Sequence, residues 1–124
     1  MKVSCVKVHD LLHGEAESEG TAVLVDRLWP RGVAKKDLHH DLWLKDVAPS
    51  PELRRWFDHD PAKFDEFTRR YRAELDEAYG AGNGDVDTLL ELGDVTLMYA
   101  AHDREHNHAV VLAAWMKEQK WKPH

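Results

Sequence analysis

The stretch DVTLMYAAHDREHNHAVVLAAWMKEQK, residues 94–120, decides the fold. Its first part, Asp94 to Ala101, has an apolar centre without polar alternation. Such a run suits a strand covered on both faces, as in a parallel sheet. HDREHN follows as a polar loop. HAVVLAAWMKEQK is then long and rich enough in Ala, Leu and Met to be a helix. A strand, a short loop and a helix in immediate succession make the repeating unit of an α/β protein.

The same pattern recurs upstream. TAVLVDRL (Thr21 to Leu28) has a second apolar centre. VSCVKV (Val3 to Val8) alternates and reads as a half-buried strand. DLWLKDV (Asp41 to Val47) fits a short strand or a helical turn. Between these segments lie helix signals. Ser50 followed by Pro51 suits an N-cap and first helical residue, and so do Asp60 and Pro61. Phe64, Phe67, Tyr71, Leu75 and Ala78 form a helical stripe running to about Tyr79. GAGNGD (Gly80 to Asp85) ends it, and DVDTLLELG is a further short helix stopped at Gly93. These elements predict an α/β fold with a small, mainly parallel sheet covered by helices. Residues 1–124 are expected to form one domain.

Composition narrows the function. Hydrophobic residues make up 43% and charged residues 32%, which fits an ordinary globular chain. The net charge of -6 argues against general nucleic-acid binding, which needs many cations set against phosphates. No apolar run would span a membrane, and no signal peptide is read at the N-terminus, so a cytoplasmic protein is expected. The single cysteine, Cys5, excludes an internal disulfide framework. Its place in the first strand makes it a core residue rather than a nucleophile. Nothing in the sequence names a cofactor or an oligomeric state.

In a parallel sheet, ligands collect beyond the carboxyl ends of the strands. Two loops leave strands there: DRLWPRG (Asp26 to Gly32) and HDREHNH (His102 to His108). They are expected to line one cleft. Arg27 and Arg31 offer guanidinium forks for a phosphate or carboxylate. Free N–H groups near Glu105 to His108, at the start of the last helix, would favour the same anion. Trp29, Tyr99, Asp103, Asn107 and His108 complete the expected ligand-binding set. Asp26 and His106 are the candidate acid–base pair, with His102 an alternative partner for Asp26. A structural reading stands beside each. Asp26 also suits a carboxylate that holds the turn, and the arginines suit ion pairs with neighbouring acids. The histidines also invite a metal, but His106 and His108 would face about 200° apart on a helix, so no metal ligand is assigned. Two functions follow: an enzyme acting on a phosphorylated or nucleotide-like substrate, or a non-catalytic module that binds a ligand or partner. A nucleic-acid-processing enzyme or a metal-binding protein is less favoured.

Four segments add a resemblance: LVDRLWPRG, LWLKDVAPSPELRRWF, HDPAKFDEFTRRYRAEL and VTLMYAAHDREHNHAVVLAAWM. In order and spacing they resemble the bacterial domain-of-unknown-function family 488, in its short branch. The resemblance spans about Val3 to Met116 and implies a compact α/β domain with Rossmann-like layering. It implies no established activity. Its recurrent positions fall on Asp26, Arg27, Trp29, Pro30, Arg31 and Gly32, then on Lys45, Pro49, Arg55, Trp56 and Phe57. The last group is Tyr99, Asp103, His106, Asn107 and His108. Wider branches are associated with Cys-His-Arg chemistry near the last loop. This chain has no cysteine there, which removes the thiol from any such mechanism.

Overall fold

The computed structural model describes residues 2–81 and 84–121. Four strands form one sheet: β1 (Val3–Lys7), β2 (Thr21–Leu24), β3 (Leu42–Trp43) and β4 (Val95–Tyr99), in the order β1-β4-β2-β3. Every pairing is parallel; Cys5 and Val23 lie on either side of Leu97. The two segments with apolar centres are therefore the two central strands. All five residues of β4 are buried, as a parallel strand with both faces covered requires.

Alternation along the strands divides the core. Val23, Val95, Leu97 and Tyr99 face one cluster, with Leu53, Phe67, Tyr71, Leu89, Leu112 and Trp115. These come from α2 (Pro51–Phe57), α3 (Phe64–Gly80), α4 (Gly84–Glu91) and α5 (His108–Trp121). Ala22, Leu24 and Met98 face the other cluster. It is closed by α1 (Val8–Leu12) and by Leu38, Trp29, Val33 and Trp43 of the irregular chain before and within β3. Helices thus cover one face, and mostly loop covers the other. Each fully buried Leu or Val here stabilises the fold by about 1.5–3 kcal/mol.

The helix starts follow the expected chemistry. Ser50 Oγ accepts the Leu53 N–H at 3.2 Å, with Pro51 as the first helical residue of α2. Glu74 of α3 fixes the cap by accepting from Ser50 N at 2.8 Å and Ser50 Oγ at 2.6 Å. Ser50→Ala should cost about 1 kcal/mol, the usual worth of such a cap. A urea midpoint unchanged from wild type would show that the cap does not hold α2. Asp60 caps a 3-10 turn, Pro61–Lys63, that leads into α3.

Some boundaries differ from expectation. β1 stops at Lys7, because Val8 already begins the short α1. Asp41 to Val47 holds both expected alternatives: β3, then a 3-10 turn at Lys45–Val47. In the expected break at Gly80 to Asp85, residues 82 and 83 lie outside the described residues, and α4 starts at Gly84. No described helix is long and apolar enough to cross a membrane.

Candidate functional site

β2 and β4 are adjacent and parallel, so their carboxyl ends deliver the two polar loops to the same edge of the sheet. A cavity of about 370 Å³ lies between them. That size falls within the range of small-ligand sites. Asp26, Arg27, Trp29 and Arg31 line it from the first loop, and His102, His106, Asn107 and His108 from the second. Pro49, Arg54, Phe57 and His59 close it from α2 and its flanks, with Phe67 of α3 beneath. Tyr99 and Asp103, both expected ligands, do not line it.

The floor is a junction between loops. Asp26 Oδ2 accepts the Ala100 N–H at 2.9 Å, and the Asp26 carbonyl accepts Trp43 Nε1–H at 2.7 Å. His108 Nε2 lies 3.0 Å from the Val25 carbonyl and 3.2 Å from Asp26 Oδ1. Both neighbours are acceptors, so Nε2 carries the proton. That N–H is aligned on Val25 O; Asp26 Oδ1 sits beside it without a donor in line. The imidazole edge also meets the buried Tyr71 ring at 6.3 Å.

The second loop is organised by its own carboxylate. Asp103 Oδ1 accepts the N–H groups of Glu105 at 2.8 Å and His106 at 3.0 Å, while Oδ2 lies 2.9 Å from His106 Nδ1. The His106 and Glu105 backbone bonds, with the His106 ring, hold the Asp103 carboxyl down to about 2. Two of the N–H groups expected to be free for a ligand anion, those of Glu105 and His106, are thus taken within the turn. The Glu105 and His106 N–H groups already hold an anion, supplied by the chain itself. The helix begins only at His108, where Asn107 Oδ1 caps the Val110 N–H at 3.1 Å. Asn107 Nδ2 donates to Asp103 O at 3.0 Å. The expected acid–base pair is also separated into two couples, Asp26 with His108 and His106 with Asp103.

The arginines divide in the same way. Arg27 donates to the Ala48 and Pro49 carbonyls at 3.2 and 3.3 Å and lies 3.7 Å from Asp46, so it fastens the first loop to the segment before α2. Arg31 and Arg54 are exposed on the cavity wall, and neither side chain has a partner among the described residues. The lining thus carries three arginines against one carboxylate, Asp26, in a chain of net charge -6. Trp29 serves the second core more than the cavity. Its Nε1–H donates to Val33 O at 2.6 Å, and its ring meets Trp43 edge-on at 5.4 Å. Tyr99 is buried against the first core, and burial raises its pKa. Burial also pushes the Cys5 thiol up to about 11, and Sγ lies 3.3 Å from Ala109 O, so it is no thiolate nucleophile.

Leu28, Arg54, His59 and Phe67 were not read as site residues. Only the DHDP turn carried a local signal: Asp58 and His59 are both left-handed, with φ of 47° and 56°. That conformation is uncommon outside glycine and marks a constrained turn. Among the described residues no three His, Cys, Asp or Glu side chains converge on a metal position.

The family model described as the inactive DUF488-N3 subclade matches residues 2–123. The chain belongs to the DUF488 family. This agrees with the resemblance carried by its motifs. Among its relatives, the uncharacterized protein YeaO of Escherichia coli (strain K12) is 38% identical over 117 residues, covering 94% of this chain and 98% of YeaO. The uncharacterized protein Rv3073c of Mycobacterium tuberculosis (strain ATCC 25618 / H37Rv) is 44% identical over 95 residues, covering 77% of this chain and 79% of that one. No solved structure matches the chain.

Proposed function

We propose that this DUF488 protein is a non-catalytic binding module that holds a small anion, such as a phosphate or a carboxylate, in the cleft between its two loops. One observation carries the reading: Arg31 and Arg54 face a single cavity with no carboxylate partner among the described residues. Away from the cavity, acids engage four other arginines, while Arg55, exposed on α2, is also without a partner among the described residues. Glu66 takes Arg69 and Arg70, Glu118 takes Arg72, and Asp10 takes Arg104. Two free guanidiniums at one concave place favour a ligand that brings its own negative charge. The non-catalytic side of the reading has its own support. Asp26 and His106 are each engaged with a different partner. The only thiol is raised to about 11 by burial, and the matching subclade is described as inactive.

Thermal melting in phosphate, against chloride at matched ionic strength, tests the reading. Wild type should gain about 2.7 kcal/mol of stability at a phosphate concentration 100 times Kd. Arg31→Ala and Arg54→Ala should melt near wild type in chloride, because both side chains are exposed. Each should lose most of the phosphate-induced shift. Equal shifts in all three proteins would mean that these arginines are not anion ligands.

A further inference from the structure

The cavity wall says more about the ligand than its charge. A nucleobase edge or a sugar ring is read by amides and hydroxyls, which both donate and accept, and by carboxylates, which accept. The wall holds no Ser, Thr, Tyr, Gln or Glu. Its carboxylate, Asp26, accepts from Ala100 N and lies against His108. Its amide, Asn107, is used at both ends, donating to Asp103 O and accepting from Val110 N. His106 and His108 are engaged with Asp103 and with Val25 O. Arg27 is engaged with two carbonyls. A ligand hydroxyl or amino group entering the cleft would therefore lose its water, and the one carboxylate or amide acceptor left unpaired, Asp26 Oδ1, is itself buried beneath the wall against His108. Leaving such a group unmatched is the main way a site rejects a polar analogue.

What remains open on the wall is of two kinds. Arg31 and Arg54, with the exposed imidazoles of His59 and His102, have no side-chain hydrogen bond among the described residues. The rest is apolar, chiefly Leu28, Pro30, Pro49, Phe57 and Phe67. Leu28 is 61% exposed although it stands on the cavity wall. An apolar ligand body would remove that surface from water, which favours binding in proportion to the area covered.

We infer that the cleft selects an organic anion with a compact apolar body, an aryl or short branched acyl phosphate or carboxylate, over a nucleotide or a sugar phosphate. The inference rests on the anion-binding reading and specifies its ligand class. It turns away from the nucleotide-like substrate expected from the sequence.

Four probes that share one head group test it by titration calorimetry on the full chain: inorganic phosphate, phenyl phosphate, ribose 5-phosphate and adenosine monophosphate. Phenyl phosphate is expected to bind about tenfold tighter than each of the others, a modest return on burying one ring. Its affinity should fall at least severalfold in Arg31→Ala and in Arg54→Ala. If inorganic phosphate, ribose 5-phosphate or adenosine monophosphate binds as tightly as phenyl phosphate, the apolar body is refuted while the anion site stands. If none of the four binds, the anion site falls and the inference with it. If phenyl phosphate binds alone but equally to wild type and both variants, it occupies another place, and the inference is overturned.

Discussion

Gly20→Ala is expected to destabilise the protein by about 2–5 kcal/mol, lowering Tm on the order of 10 °C. Gly20 enters β2 with φ of +67°, and a Cβ there would lie 2.2 Å from the Asp94 carbonyl oxygen. That oxygen has little room to retreat. It accepts the Thr21 N–H at 2.9 Å, and the Asp94 side chain holds Lys2 N at 2.8 Å. The preceding residue is fastened too: Glu19 N donates to Thr96 Oγ1, and Thr96 Oγ1 donates to Glu19 O, both at 2.8 Å. The contact therefore sits where β2 and β4 begin to pair, and relief would have to come from the sheet. Gly14 separates the two causes, since its φ is +72° but a Cβ would meet nothing within 4 Å. Gly14→Ala should show only the conformational cost, about 1 kcal/mol. Urea denaturation of both variants measures the difference. Equal losses would mean that the close approach at Asp94 carries no energy.

The same junction shows why the sheet could be read from sequence. β2 and β4 are the central pair, so neither has a solvent face to force polar alternation, and the polar residue within β4, Thr96, is itself buried. α1 was illegible for the opposite reason. It has five residues and no side-chain cap, and it continues β1 without a turn residue between them. The two site loops could be read because both leave strands at the same edge. The pairings inside the site could not. They depend on where α5 begins: residues 104–107 lie outside the helix, in a turn whose Glu105 and His106 N–H groups donate to the Asp103 carboxylate. The shift to His108 brings that residue, rather than His106, over Asp26. Arg54 reaches the cavity only through the packing of α2 on the sheet's core, and no local motif announces that.

Asp26→Ala should therefore behave as a broken joint, costing about 1–3 kcal/mol. Oδ2 is the partner of the Ala100 N–H, 74 residues away in the chain, at 2.9 Å. Alanine leaves that N–H half-buried without an acceptor, next to the point where the chain turns from β4 into the second loop. The same change removes the carboxylate 3.2 Å from His108 Nε2, although His108 keeps its bond to Val25 O. Because the joint fixes the distance between the cavity's two loops, the phosphate-induced rise in Tm should also shrink, without Asp26 touching the anion. Asp26→Asn keeps an amide oxygen that can accept from Ala100 N and should recover most of the stability. Denaturant titration of both variants distinguishes the two contacts. A loss in Asp26→Asn as large as in Asp26→Ala would assign the joint to the negative charge beside His108 rather than to the Ala100 bond. An Asp26→Ala protein as stable as wild type would mean that Asp26 is not structural, which would return it to consideration as a chemical group of the cleft.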